Sequence, residues 1–434
     1  MPCPRLGPVA RILLVGFVVA AAACSTPDRG ALEARRDAIS FGAPEDVGFS
    51  SEGLARIAPA MQELVDDGRT AGVVTLVARR GTIVHWEARG WRVLEEDPFE
   101  RNDVFRIYSM TKPVTSTAVM ILVEEGRIGL DDPLSIYLPE FTDVEVYDAG
   151  ELRPPAREIT IRDLLRHTSG LTYGIFGNTP VDQMYVTRLG GVLNPQSGIS
   201  LEELTNHIAE LPLIADPGTR WNYSLSTDVL GRVVEVVSGM SLADFFRTRI
   251  FEPLGMHETA FHVPAERRDR FAAVYRSSES GLEMIDSPVN GPFTREPTWY
   301  SGGGGLTSTP ADYLRFAQML LDEGELGGVR ILRPETVRAM RTDQLPDGLG
   351  TIGISPTDGF GLGFAVQVTG DTPDIFWWVG VMNTWFWIDP VEEIVAFAWT
   401  QYDPFGGVPV NPLMRRLVYD ALEESNRAVG AGGP

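Results

Sequence analysis

Runs with the composition of β-strands lie near both ends of this chain, and most of the region between them has a helical pattern. Gly72 to Ala78 and Thr82 to Trp91 are rich in β-branched and aromatic residues and flank a short polar turn, which predicts a hairpin. Three more strand-like runs come late in the chain: Phe360 to Val368, Phe376 to Ile388 and Ile394 to Tyr402. We therefore expect an α/β (α+β) fold with one antiparallel sheet built from both termini and a helical lobe inserted at roughly residues 110–290.

Apolar residues at helical spacing predict the helices. The clearest segments are Ser51 to Gly68, with Ser50 or Ser51 as its cap, Leu201 to Leu211, Thr227 to Ser238, and about Asn411 to Arg427.

The N-terminal residues have the pattern of an export signal. Two arginines precede an apolar run, and Ala21 to Cys24 resembles a lipoprotein cleavage box, which predicts a signal peptide at 1–23 and a lipid on Cys24. Residues 24–45 are polar and are expected to form a tether to a folded domain at 46–427. These features predict an exported protein attached to the cell envelope, on its periplasmic or extracellular face, with ordinary secretion as the alternative. Cys3 and Cys24 are the two cysteines of the chain, so removal of the first and modification of the second would leave the mature protein without a disulfide.

The charge of the chain limits the kinds of partner that it can bind. The 434 residues carry a formal net charge of -22, and no cluster of basic residues appears, which argues against binding to nucleic acid. The lipid is the only membrane contact that we expect. The five histidines form no metal-binding motif, so neither a metal nor another cofactor is expected.

Lys112 is the single lysine among 37 basic residues, and it follows Ser109 by three positions at the start of an apolar helix. This spacing predicts that both side chains share one face of the helix. A lysine amine can lose its proton in a desolvated site, whereas guanidinium stays charged. The pair therefore has the composition of an activated serine nucleophile and its base.

Four other segments match this pair to a family. Trp221 to Ser226, which contains Tyr223, resembles the second motif of the serine β-lactamase and penicillin-binding-protein group, and Trp378 to Gly380 resembles the third. His167 to Leu171 and Ser301 to Leu306 resemble segments of its class C-like members. Between about residues 45 and 425 the chain is thus similar to a class C-like member with a β-lactamase/transpeptidase-like fold.

The resemblance implies a role for each matching residue. Ser109 would be the nucleophile that forms an acyl-enzyme, Lys112 its base, and Tyr223 the phenol that transfers the proton. The backbone N–H groups of Ser109 and Val381 would form the oxyanion hole. His167 is interpreted as a hydrogen-bonded structural residue and not as a triad base.

Two departures from the family pattern limit the range of possible substrates. Trp378 stands where lactamases and transpeptidases carry a lysine, and Leu225 replaces the usual asparagine of the second motif. The site would therefore lack a cation for a substrate carboxylate. With a tryptophan in the third motif, the chain most resembles the class C-like esterases that are called family VIII carboxylesterases. Trp378, Gly380, Trp299 and Tyr300 are predicted to bind substrate, and four more aromatic residues would suit an apolar pocket: Trp377, Trp385, Phe386 and Trp387.

We therefore expect a serine hydrolase that acts as a carboxylesterase on small, neutral, short-chain esters. A β-lactamase or D-alanyl-D-alanine carboxypeptidase is the alternative within enzymes. A non-catalytic protein that binds cell-wall peptides is the alternative outside them, although it would not need the set of Ser109, Lys112 and Tyr223.

Overall fold

A mixed sheet forms the centre of the molecule in the computed structural model, which describes residues 39–353, 355–370 and 374–431 and the side chains up to residue 425. The described residues form strands β1 (Ser40–Phe41), β2 (Gly72–Arg79), β3 (Thr82–Val93), β4 (Asp97–Pro98), β5 (Phe105–Arg106), β6 (Val146–Asp148), β7 (Glu151–Arg153), β8 (Val274–Ser278), β9 (Gly281–Asp286), β10 (Thr307–Ser308), β11 (Glu325–Leu326), β12 (Val329–Arg330), β13 (Asp358–Phe360), β14 (Ala365–Gln367), β15 (Phe376–Gly380), β16 (Thr384–Asp389), β17 (Ile394–Trp399) and β18 (Tyr402–Asp403).

The helices lie mainly between the two groups of sheet strands. They are α1 (Ser51–Ala55), α2 (Ile57–Asp66), α3 (Thr111–Glu124), α4 (Ile161–Leu165), α5 (Pro180–Leu189), α6 (Leu201–Ala209), α7 (Ser226–Ser238), α8 (Leu242–Phe246), α9 (Glu252–Leu254), α10 (Pro310–Leu321), α11 (Pro334–Met340) and α12 (Val410–Ala431).

The sheet joins the two ends of the chain, as predicted. Its strand order is β1-β3-β2-β17-β16-β15-β14-β13, with β4 paired to β3. Strand β2 pairs antiparallel with β17, so that Val74 lies opposite Trp399. The prediction of an antiparallel sheet holds for these strands, but β1 runs parallel to β3, which makes the sheet mixed.

The central strands bury both of their faces, which explains their nearly continuous apolar sequences. On β17, Val395, Phe397 and Trp399 pack into the cluster that includes α3, α7 and α10. The alternate residues of β17 pack against α1, α2 and α12 on the other face: Ile394, Ala396 and Ala398. The period-2 alternation of side chains thus places a helical layer on each side of the sheet.

The first predicted helix is divided into α1 and α2. Ser50 caps α1, because its side chain accepts a hydrogen bond from the Gly53 N–H. Pro59 lies in the first turn of α2, where its missing N–H costs nothing, whereas in a continuous helix its ring would clash with the carbonyl of Ala55. The other three predicted helices are confirmed as α6, α7 and α12.

Several strands differ from the prediction. The hairpin of β2 and β3 is confirmed, but the run at 376–388 forms two strands, β15 and β16, joined by a turn in which Asn383 has a φ of 62°. The run at 360–368 contains the last residue of β13 and all of β14, and these two strands pair as a hairpin that begins at Asp358. The helical lobe also contains two hairpins that were not predicted, β6–β7 and β8–β9, whose short and largely exposed strands lack apolar alternation.

The fold begins before the predicted end of the tether at residue 45. Strand β1 adds to the sheet edge beside β3, and Pro44–Val47 forms a short 3-10 helix. The predicted signal peptide and Cys24 lie outside the described residues. Among the helices that are described, we find none with the length and apolar character needed to cross a membrane.

Candidate active site

Ser109 lies in a 3-10 turn, Tyr108–Met110, which leads directly into α3. The turn is held on both sides, because the Ile107 N–H donates to the Leu306 carbonyl over 3.1 Å and the Tyr313 hydroxyl donates to the Met110 carbonyl over 2.9 Å. Tyr108 has a φ of 42°, a left-handed conformation that costs a non-glycine residue free energy. The surrounding contacts thus hold Ser109 at the beginning of α3 in a strained turn.

Lys112 is completely buried in the first turn of α3. Its Nζ donates to Ser109 Oγ over 3.2 Å, to the Tyr173 hydroxyl over 3.0 Å and to the Gly303 carbonyl over 2.7 Å. The predicted sharing of one helix face by Ser109 and Lys112 therefore matches the geometry. The contacts with Tyr173 and Gly303 hold the amine in position beside the serine.

Tyr223 reaches the same serine from the segment before α7. Its hydroxyl donates to Ser109 Oγ over 2.7 Å, and its ring centre lies 4.6 Å from Lys112 Nζ. The segment is anchored next to it, because the Asn222 N–H donates to the His167 carbonyl and the Asn222 side chain donates to the Leu171 carbonyl, both over 2.8 Å. The structure thus brings together the three residues that the sequence singled out.

Tyr173 and Asp228 complete this arrangement, and the sequence motifs did not indicate either of them. Burial, with the nearby Asp228 and Tyr223, raises the pKa of Tyr173 well above its usual range, so its phenol stays protonated. Asp228 accepts hydrogen bonds from the Ser301 hydroxyl over 2.6 Å and from the Gly303 N–H over 2.9 Å. Asp228 therefore holds the loop whose carbonyl group contacts Lys112. The available signal was an acidic residue two positions after Ser226, directly before the apolar pair Val229 and Leu230.

The glycine run at 302–305 packs closely against this site. A Cβ on Gly302 would lie 2.6 Å from the Thr227 carbonyl oxygen, and one on Gly303 would lie 2.5 Å from a carboxylate oxygen of Asp228. Larger residues would displace the loop from α7, and with it the Gly303 carbonyl.

His167 is buried beside the site and does not contact Ser109. Its Nδ1 lies 3.2 Å from Ser224 Oγ, and its ring packs on Tyr223 with centroids 4.9 Å apart. Burial, together with the charge of Lys112, lowers the pKa of His167 well below its usual value, so the imidazole is neutral at neutral pH. The interpretation of His167 as a hydrogen-bonded structural residue is confirmed.

The end of β15 contacts the turn that carries Ser109. A Cβ on Gly380 would lie 2.4 Å from the Ile107 carbonyl oxygen and 2.2 Å from Thr384 Oγ1, so only glycine fits. Trp378 is buried against Tyr223, with ring centroids 5.4 Å apart. Val381, the predicted second oxyanion-hole residue, follows directly and borders the same cavity as Ser109.

A cavity with a volume of about 650 Å³ opens above Ser109. Its walls are mainly apolar, and they include Phe176, Ile214, Trp221, Trp378, Val379 and Phe405. Such a cavity suits a small molecule with an apolar portion, because burial of apolar surface favours binding.

The structure does not bring the other predicted pocket residues to this cavity. Trp299 is buried in a separate small cleft beside Phe261, and its indole N–H donates to the Asn194 carbonyl over 3.3 Å. The Tyr300 hydroxyl donates to Glu296 over 2.7 Å. Trp385 and Trp387 pack on the far face of the sheet, because alternation along β16 directs them away from Ser109. Trp377 and Phe386 are not among the residues that line the cavity. Within the described part of the chain, no group of three or more His, Cys, Asp or Glu side chains is arranged to hold a metal ion.

This fold and this serine site define a serine hydrolase with the β-lactamase fold. Residues 57–419 match the family model described as Beta-lactamase, and the chain belongs to that family. The resemblance inferred from the motifs is therefore confirmed.

Individual relatives are similar along most of their length. Protein Rv1367c of Mycobacterium tuberculosis is 37% identical over 82% of this chain and 94% of its own length. Esterase EstB of Burkholderia gladioli is 31% identical over 84% of this chain and 95% of its own. The solved structure of EstCE1, titled a hydrolase with promiscuous acyltransferase activity, has a TM-score of 0.74 and 30% identity over 86% of this chain and 99% of its own.

Proposed function

We propose that this hydrolase is a carboxylesterase that forms an acyl-enzyme on Ser109 and releases it to water. The observation that carries the proposal is that Ser109 Oγ lies within hydrogen-bond distance of both Tyr223 and Lys112, at 2.7 and 3.2 Å, beside an apolar cavity. A nucleophile needs a base in direct contact, and here the hydroxyl has two titratable neighbours.

In the proposed first step, Tyr223 acts in its phenolate form beside Lys112: Ser109 Oγ bonds to the ester carbonyl carbon while the phenolate oxygen accepts the hydroxyl proton. The N–H groups of Ser109 and Val381 would stabilise the negative charge that develops on the carbonyl oxygen. The ester C–O bond then breaks, and the proton passes to the departing alcohol. A water molecule attacks the acyl-enzyme by the same route and releases the carboxylic acid.

Neutral, short-chain esters are the proposed substrates. The buried Trp378 occupies the strand position where related enzymes place a cation, so the scissile bond would lie against an aromatic side chain. The similarity to esterase EstB and to the hydrolase EstCE1 supports ester cleavage.

The decisive experiment compares the purified protein with Ser109→Ala on p-nitrophenyl butyrate and on a chromogenic cephalosporin. We expect butyrate hydrolysis that is lost in the variant, and little cephalosporin cleavage. Cleavage of the cephalosporin without the ester would instead favour a β-lactamase, and inertness toward both would favour a binding protein.

We also propose that the protein is exported and attached to the cell envelope through a lipid on Cys24. The support is the cleavage-box pattern at Ala21 to Cys24. The mass of the mature N-terminal peptide tests this: a diacylated cysteine is expected, and an unmodified residue or an uncleaved N-terminus would contradict it.

A further inference from the structure

Arg220 lines the cavity above Ser109, is exposed, and makes no hydrogen bond or ion pair with another residue in the described part of the chain. Most other exposed arginines in the described ranges form ion pairs, for example Arg188 with Glu210 and Arg80 with Glu393, both over 2.6 Å. Arg220 therefore offers its guanidinium group to whatever enters the cavity.

The cavity contains one other charged residue, Asp182, within the described ranges, and its oxygens are already occupied. One oxygen accepts from the Thr172 hydroxyl over 2.7 Å, and the other accepts from the N–H and the hydroxyl of Thr179 over 2.9 and 2.8 Å. Burial opposes ionisation of Asp182, but the hydrogen bonds from Thr179 and Thr172, with the charge of Arg220, lower its pKa. Asp182 thus completes the capping box of α5 with Thr179, and it forms no ion pair with Arg220.

The backbone on both sides of Arg220 is fixed. The Gly218 N–H donates to the Thr168 carbonyl over 2.7 Å, and the Asn222 N–H donates to the His167 carbonyl over 2.8 Å. Arg220 therefore extends from the same anchored segment as Tyr223. Its position relative to the serine is set by the fold, although its side chain is solvated.

The location of Arg220 differs from that of the cation that Trp378 replaces. Trp378 lies on β15, whereas Arg220 lies on the segment that precedes α7. An anion held by Arg220 would therefore leave the aromatic surface of Trp378 available to the apolar part of the same molecule.

We propose that Arg220 binds a carboxylate at the end of the substrate remote from the scissile ester bond. The preferred substrates would then be monoesters in which an apolar chain separates the ester from a terminal carboxylate. A planar guanidinium group matches a carboxylate with two parallel hydrogen bonds. In a chain with a net charge of -22, a cation at the cavity also counteracts the repulsion of an anionic substrate. This inference rests on the proposed esterase function.

The test uses two esters of matched length, p-nitrophenyl hexanoate and mono-p-nitrophenyl adipate, which differ in a terminal methyl or carboxylate group. We compare the wild type with Arg220→Gln, Arg220→Lys and the control Arg416→Gln, which removes the same charge from an exposed position on α12 outside the cavity. Arg220→Gln should lower the ratio of kcat/KM for the adipate ester to that for hexanoate roughly 3- to 10-fold, the effect of one partly solvated charge-assisted contact. The ratio for Arg220→Lys should lie between those of the wild type and Arg220→Gln. The ratio for Arg416→Gln should equal that of the wild type.

An unchanged ratio in Arg220→Gln, or an equal change in Arg416→Gln, would overturn the inference. If the wild type hydrolyses neither ester, the esterase proposal fails. The role of Arg220 is then tested separately, by measuring the affinity of the protein for a dicarboxylate. For that measurement, adipate is titrated into Ser109→Ala with and without Arg220→Gln, and tighter binding by the protein that retains Arg220 supports the inference. Equal affinities would contradict it.

Discussion

The hydroxyl of Tyr223 donates to Ser109 Oγ over 2.7 Å, although 114 residues separate the two in the chain. The contact depends on α3, which presents Ser109, and on the anchored segment before α7, which presents Tyr223. No side chain of the described residues other than Tyr223 and Lys112 hydrogen-bonds to this hydroxyl.

Tyr223→Phe removes this contact and keeps the ring. If the phenol transfers the serine proton, kcat should fall by roughly 10² to 10⁴ with a smaller change in KM. Steady-state kinetics on p-nitrophenyl butyrate measure the loss. Tyr300→Phe is the matched control, because it also removes one hydroxyl but lies outside the cavity. Similar kinetics for both variants would remove Tyr223 from the mechanism.

Lys112→Arg keeps a positive charge but replaces an amine that can exchange its proton with a guanidinium that does not. We expect activity to fall by roughly 10³-fold or more, as for other residues that activate a nucleophile. Labelling of Ser109 by a fluorophosphonate probe should fall in parallel, while circular dichroism reports whether the fold persists. A folded variant that labels at the wild-type rate would show that the positive charge alone is sufficient.

Gly380→Ala tests the contact between β15 and the turn that carries Ser109. The added Cβ would lie 2.4 Å from the Ile107 carbonyl oxygen, so the strand and the turn must separate. A displacement of this kind costs roughly 10²-fold in kcat and about 1–3 kcal/mol of stability. Gly191→Ala is the control, since the space around that glycine is open. We expect the control to retain wild-type activity and melting temperature, and equal effects in both variants would contradict the proposed contact.

His85 gives a prediction for stability and pH. Burial, with Arg89 and Arg101 nearby, lowers its pKa from 6.5 to about 4, and the imidazole lies 2.7 Å from Thr75 Oγ1. The unfolded chain therefore takes up a proton between pH 6.5 and 4 that the folded protein does not. This contribution to stability is complete above pH 6.5 and is lost as the pH falls toward 4.

The measurement is the difference in unfolding free energy between the wild type and His85→Gln at pH 7 and pH 4. The wild type should lose about 3 kcal/mol relative to the variant over this interval. The comparison with the variant is needed because Asp103, whose pKa burial raises to about 6, changes stability in the opposite direction. A difference that does not depend on pH would show that His85 titrates equally in the folded and unfolded chains.

The sequence was most informative where a local pattern determines the structure. The spacing of Ser109 and Lys112 and the β-branched and aromatic runs that form β2, β3 and β17 each depend on neighbouring residues. The contact of Lys112 with Tyr173 and the support from Asp228 depend on how helices pack, and no spacing rule relates those positions. Trp299 shows the same limit: its aromatic character suggested a pocket, but packing directs it into a separate cleft.

The pairing of β2 with β17 also has a consequence for biosynthesis. During translation, the hairpin of β2 and β3 emerges more than 300 residues before Ile394–Trp399, its partner strand. Until that strand is available, the edge of β2 that pairs with it is left without a partner strand. The central sheet therefore closes only when the chain is nearly complete, and a ribosome-bound fragment that ends before residue 394 should remain sensitive to proteases.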